Sequence, residues 1–223
     1  MKILDHFANE QAAALASAPP LRDRWRNCSY RIARKAPHLV MHVQQDGYVD
    51  LILRAAEAEL AANIEQQDAL SLGLNHYMIQ ARYWIFAMFE NLRTYCELNM
   101  YGPDGQKLKR DDWVDELEAA SQLRGQFSLV RVPLAKLEIK GANQKDAPPI
   151  QTISYPPKMN EEPQLYRRRA TPYYPIQSVD LSTGSACWDV IDLHSKTHVR
   201  VSRVSLSDAF LNIFSSKVHA AES

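Results

Sequence analysis

With 223 residues, of which 46% are hydrophobic, the chain has the length and apolar content of one cored domain, or of one such domain plus an extended arm. Its 26 Lys and Arg cancel its 26 Asp and Glu, which argues against a dedicated nucleic-acid coat but not against a local basic patch. Cys28, Cys96 and Cys187 lie far apart and form no CxxC or Cys/His cluster, so no structural zinc or other metal site is expected, and reduced thiols fit a reducing compartment.

Residues 1–18 read as a short amphipathic helix closed by Pro19 and Pro20. Asp5, His6, Asn9 and Glu10 interrupt the apolar run that a secretory signal would need. No stretch reaches the roughly eighteen apolar residues of a membrane span. The expectation is a cytoplasmic protein with no membrane contact.

Residues 21–43 are basic, with Arg22, Arg24, Arg26, Arg31, Arg34 and Lys35 against Asp23 alone, and with Trp25 and Tyr30 interleaved. Residues 48–67 predict a helix with Ile52, Ala55, Ala56, Leu60 and Ile64 as its buried stripe and Glu57, Glu59 and Glu65 on its outer face. Residues 70–101 predict one long helix. There Leu74, Met78, Ala81, Ile85, Met88, Leu92 and Tyr95 recur at alternating spacings of four and three, the period of a helix packed along a seam. The turn at Gly102, Pro103, Asp104 and Gly105 ends it.

A further helix follows Asp111 and Asp112, carrying Trp113, Leu117, Ala120 and Leu123, with Gly125 as its expected interruption. Pro133 predicts a break in the segment 127–139. Seven of the twelve prolines fall between Pro148 and Pro175, so residues 141–185 predict a Pro-rich extended arm or linker, and the tyrosines in it favour an arm laid over a surface. Residues 186–193 and 197–204 alternate as a β-hairpin, and Ser205 or Ser207 caps a short terminal helix through Phe214. The fold class is therefore mainly α: a helical bundle around one long central helix, with an extended arm and a C-terminal hairpin plus short helix. The expected domains are a bundle at 1–140, the arm at 141–185, and a hairpin-helix unit at 186–216 packing on the bundle.

Two constellations carry candidate chemistry. Arg82 and Arg93 lie about 20° apart around the long helix. Glu90 stands one turn before Arg93, so one Arg can be held by Glu90 while the other meets an anion. Arg131 and Lys136 in RVPLAKLE join them as anion or ligand candidates. The alternative for Arg82, Glu90 and Arg93 is an ion-pair network that fixes helix register, and for Arg131, Lys136 and Glu138 it is a solvated turn with Lys136 and Glu138 reaching back to the central helix. The second constellation is Arg22, Arg24, Arg26, Arg31, Arg34 and Lys35, whose interleaving with aromatics is one signature of nucleic-acid contact. The histidines show no metal spacing, and no GxSxG, Walker loop or GxGxxG is present. No cofactor is expected.

With FENLRTY at residues 89–95 and RVPLAKLE at 131–138, the chain resembles a group of bacterial proteins of unassigned activity. They share an aromatic-Glu-x-x-Arg helix, an Arg-x-Pro-Leu-Ala-Lys turn, and a Trp-containing hairpin followed by Leu-Ser-Asp, here Trp188 and Leu206 to Asp208. The long helical pair also loosely resembles HEPN domains, all-helical RNA-associated modules whose catalytic motif is an Arg, four to six residues, then a His, on a helix. Arg31 and His38 have that spacing, but Pro37 breaks a helix between them. The resemblance thus implies a HEPN-like scaffold without an intact catalytic motif. Three functional expectations follow. The first is a protein-interaction or dimerisation module, with a second copy or another protein as partner. The second is a nucleic-acid-binding or RNA-processing protein of a defence or toxin system. The third is a small-molecule enzyme with an anion pocket at Arg82, Glu90, Arg93 and Lys136.

Overall fold

In the computed structural model, residues 18–63, 71–102, 104–142 and 173–215 are described, with the short pairs 151–152 and 164–165 and positions 9, 12, 13 and 16. The expected N-terminal helix and most of the arm lie outside the described residues. Among the described residues, five continuous α-helices follow one another: α1 Pro19–Ala33, α2 Val40–Ala62, α3 Ser71–Asn99, α4 Asp115–Lys136 and α5 Arg203–Ser215. Each packs on the next, and α5 returns to α1, so the helices close a ring. The architecture is mainly α with a C-terminal hairpin and short helix, as the sequence predicts.

Local chemistry sets the ends. Prolines at the first two positions open α1, where a missing N–H costs nothing. Asp115, Glu116 and Glu118 occupy the first turn of α4, complementing the positive end of its dipole. Pro133 does not break this helix, contrary to expectation, and Gly125 does not interrupt it. The proline has no N–H to give the Leu129 carbonyl, and only the helix's final turn follows it. Burial of Val130, Pro133 and Leu134 holds that last turn down. Leu137, at φ 56°, then ends the helix, its N–H bonded to the Pro133 carbonyl at 2.9 Å.

The long helix α3 buries Ala81, Ile85, Met88, Leu92 and Tyr95 as predicted, and also Tyr77, Trp84, Phe89 and Cys96. An aromatic chain runs through the ring's centre. Trp25 stacks on Phe210 at 5.3 Å, Phe210 meets Phe214 at 4.8 Å, and Phe214 meets Tyr95 edge-on at 5.1 Å.

Two short strands, β1 Gln151–Thr152 and β2 Gln164–Leu165, pair within the arm. A separate antiparallel sheet has the order β3 Ile176–Val179, β4 Ala186–Asp192 and β5 Thr197–Ser202. The hairpin β4–β5 matches expectation. Its added neighbour β3 comes from the end of the segment assigned to the arm, with Val179 opposite Ala186. The central strand β4 packs against α4 and α5 and places Trp188 and Val190 in the main core. The terminal helix starts at Arg203, before the Ser205 or Ser207 cap expected from the sequence, and it is Ser202 whose hydroxyl accepts from the Ser205 N–H at 3.5 Å.

Helix α2 keeps Ala56 and Leu60 of the expected stripe against the core but turns Ala55 out and two acids in. Its inward face carries Val43, Gly47, Asp50, Leu51, Leu53 and Glu57. Glu57, expected outside, is 2% exposed, whereas Ala55, expected inside, is exposed. The cause is a partner supplied from the far end of the chain.

Candidate functional site

That partner is Arg203, fully buried where β5 becomes α5. Its Nη1 donates to Asp50 Oδ1 at 2.5 Å, and its Nε and Nη2 donate to the two oxygens of Glu57 at 2.6 and 2.5 Å. Its guanidinium also lies 5.1 Å from the Trp84 ring centre. Asp50 Oδ2 accepts from Trp25 Nε1 and from Arg54 Nε, each at 2.9 Å. Arg54 reaches on to Ser207 and Asp208 of α5. Tyr77 donates to Glu57 at 2.6 Å and accepts from the Ala186 N–H at 2.7 Å.

Burial alone would raise the Asp50 carboxyl, but Arg203 and Arg54 hold it below its ordinary value. Burial likewise disfavours a charged Arg203, and Asp50 and Glu57 overcome it, holding the guanidinium above its ordinary value. Burial and Glu57 together push the Tyr77 phenol up. Both acids have partners on each oxygen, and the guanidinium is enclosed. This cluster therefore clamps α1, α2, α3, β4 and α5 together and presents no open group to a substrate. The sequence signal for it was Asp50, Arg54 and Glu57 on one helix face; the missing half was Arg203, 146 positions later.

The first predicted constellation is only partly assembled. Arg93 donates to Glu90 and to Glu97, both at 2.6 Å, and Arg131 reaches Glu90 at 3.3 Å while lying over the Phe89 ring at 4.8 Å. Glu90, Arg93 and Arg131 thus bridge α3 to α4 on the surface. Arg82 is half-buried, its Nε enclosed without a described partner, and Lys136 is exposed. Neither makes a polar contact to Glu90 among the described residues. The arrangement fits the ion-pair alternative for this group, and none of the five lines the cleft at the end of α3.

The six basic residues of the second constellation divide. Arg24 reaches Asn212 at 2.9 Å and Ser215 at 3.3 Å on α5. Arg31 donates through Nε to Glu116 at 2.5 Å, and Arg26 pairs with Asp23 at 3.2 Å. Arg22, Arg34 and Lys35 stand exposed. His38 falls in a separate 3-10 turn, Pro37–Leu39, so Arg31 and His38 do not share a helix.

A cleft of about 610 Å³ opens between the end of α3 and the start of α4, lined by Lys35, Tyr95, Asn99, Tyr101, Asp112 and Glu116 among others. Glu116 accepts from Tyr95 at 2.5 Å on one oxygen and from Arg31 on the other, so it is not a free base. Burial, then the Glu116 bond, pushes the Tyr95 phenol up, which disfavours phenolate chemistry. The three thiols are buried and raised by that burial, Cys28 to about 12 and Cys96 to about 11. Among the described residues no group of three His, Cys, Asp or Glu side chains is placed to hold a metal ion. No described helix is long and apolar enough to cross a membrane.

The outward face of α2 remains. Because Asp50 and Glu57 turn inward, positions 41, 45, 48, 52, 55, 59 and 62 turn outward, a heptad spacing of alternating four and three. They are Met41, Gln45, Tyr48, Ile52, Ala55, Glu59 and Ala62. Met41 is 58% and Tyr48 45% exposed. A solvent-facing helix strip is ordinarily polar; here only Gln45 and Glu59 are. Tyr30 of α1, 57% exposed, lies beside it, next to the Ser29–Gln44 hydrogen bond that joins the two helices. No sequence reading singled out this seam, although its spacing was present in the sequence. No family model, curated protein or solved structure matches the chain.

Proposed function

We propose that the chain is a helical protein-interaction module that receives a partner helix along the outward seam of α2. The observation that carries this reading is the apolar heptad strip from Met41 to Ala62 on the solvent side of a helix whose other face is fixed in the core. Apolar strips at this spacing bury themselves against another helix through interdigitating side chains. Tyrosine and methionine are favoured at such contacts, since they supply large contact area that adapts to the partner. The buried ion cluster supports the same reading. It makes the rotation of α2 a property of the folded core, so the seam is presented without rearrangement.

The test is site-specific photo-crosslinking in cells, with benzoylphenylalanine at Tyr48 and, for comparison, at exposed Lys196 in the hairpin turn. The expected outcome is a discrete adduct from position 48 that position 196 does not give. An absence of any adduct at 48, or the same adducts at both positions, would overturn the reading.

A further inference from the structure

We infer that the helix received by this seam is α2 of a second copy, running antiparallel about a two-fold axis at the level of residue 50. The inference rests on the interaction reading above and adds the partner and the geometry. Its first support is the symmetry of the spacing. Under an antiparallel two-fold centred on residue 50, Tyr48 meets Ile52 of the other copy, Gln45 meets Ala55, Met41 meets Glu59, and His38 meets Ala62. Six of the seven outward positions find an outward position of the same strip opposite them, as an isologous interface requires, and Ala62 faces exposed His38 in the turn before α2.

Size is the second support. The N-terminal half of the strip is bulky, with Met41, Gln45 and Tyr48, and the C-terminal half alternates Ile52 and Glu59 with Ala55 and Ala62, with exposed Ala58 beside them. An antiparallel pair sets Gln45 over Ala55 and His38 over Ala62, where the backbones can approach, and packs Tyr48 on Ile52 and Met41 on Glu59. A parallel pair would stack bulk on bulk at one end and leave gaps at the other.

Charge is the third. Exposed His38 and His42 lie at the N-terminal end of the strip, exposed Arg34 and Lys35 stand in the connection just before it, Lys35 also lining the cleft between α3 and α4, and exposed Glu59 lies near the C-terminal end. Antiparallel pairing brings each basic end over the partner's Glu59 and over the negative end of the partner's helix dipole, twice per dimer. A parallel pair would set four basic groups against four. The strip is about 32 Å long at 1.5 Å per residue.

Sedimentation velocity of the full chain between 1 and 100 µM tests the state, and engineered cysteines test the geometry. The expected mass at the upper concentrations is twice 25.4 kDa. Gln45→Cys mixed with Ala55→Cys should oxidise to a covalent dimer, while each variant alone should not. The native thiols are buried and do not compete. Ile52→Glu, at a half-exposed position, should weaken association at least 100-fold, with an unfolding midpoint unchanged at concentrations where both proteins are monomers. A monomer at every concentration, or a covalent dimer formed by Gln45→Cys alone, would overturn the inference. A monomer that still crosslinks a different protein through position 48 would overturn the second copy and leave the interaction reading standing. A monomer with no adduct would remove both.

Discussion

Arg203 and Glu57 lie 146 residues apart in sequence and meet through two parallel hydrogen bonds of 2.6 and 2.5 Å, both side chains closed off from solvent. This fork, together with Asp50, decides which way α2 faces. A buried pair of this kind gives stability only when complete, because losing one member strands the other's charge in a medium that solvates it poorly.

Arg203→Met should therefore destabilise the fold by about 3–5 kcal/mol, since Asp50 and Glu57 lose their main counter-charge. The triple variant Arg203→Met with Asp50→Asn and Glu57→Gln should recover part of that loss. Urea denaturation of the three proteins reads this directly. Equal stability of the single and triple variants would count against stranded charge as the cause.

Gly184 ends the turn before β4 at φ 69°, and a Cβ there would sit 1.9 Å from the Glu57 carbonyl oxygen. The contact is with backbone, so no side chain can move aside. Gly184→Ala should cost about 3 kcal/mol, combining left-handed strain with overpacking. A thermal melt shifted by less than a degree would show that the turn yields more easily than this packing allows.

Asp46 gives a pH signature. Burial raises its carboxyl to about 6, against the Asn91 hydrogen bond and His42, which lower it. The folded protein thus holds a proton that the unfolded chain releases near pH 4. Between about pH 4 and 6 the native state binds more protons than the unfolded state, so this group's contribution falls as pH rises. Asp46→Asn should leave stability nearly unchanged at pH 4 and raise it by about 2 kcal/mol at pH 7.5. The difference between the two proteins in isothermal denaturation at both pH values isolates the group.

The basic residues of α1 should separate by role. Arg24→Ala and Arg31→Ala remove contacts to α5 and α4 and should each cost about 1 kcal/mol. Arg22→Ala and Arg34→Ala, at exposed positions, should stay within about 0.5 kcal/mol of the parent. Chemical denaturation of the four variants checks the division. Lowered stability in the exposed pair would mean that the arginines on that face are held by contacts beyond those described.

The sequence by itself determined the elements whose signals are local. The seam from Ala81 to Tyr95 repeats within one helix, the turn at residues 102–105 stops it, and the alternation around Trp188 makes a hairpin, each through neighbours a few residues away. Tertiary structure alone decided the orientation and the exceptions. Pro133 stays helical because the core holds the last turn of α4. Helix α2 offers two faces, one with Ile52 and Ala55 and one with Asp50 and Glu57, and hydrophobic pattern favours burying the first. A buried arginine from the far end of the chain reverses that choice, because its charge needs both acids and has no solvent to replace them. The face that then turns outward, from Met41 to Ala62, is where partner binding is proposed.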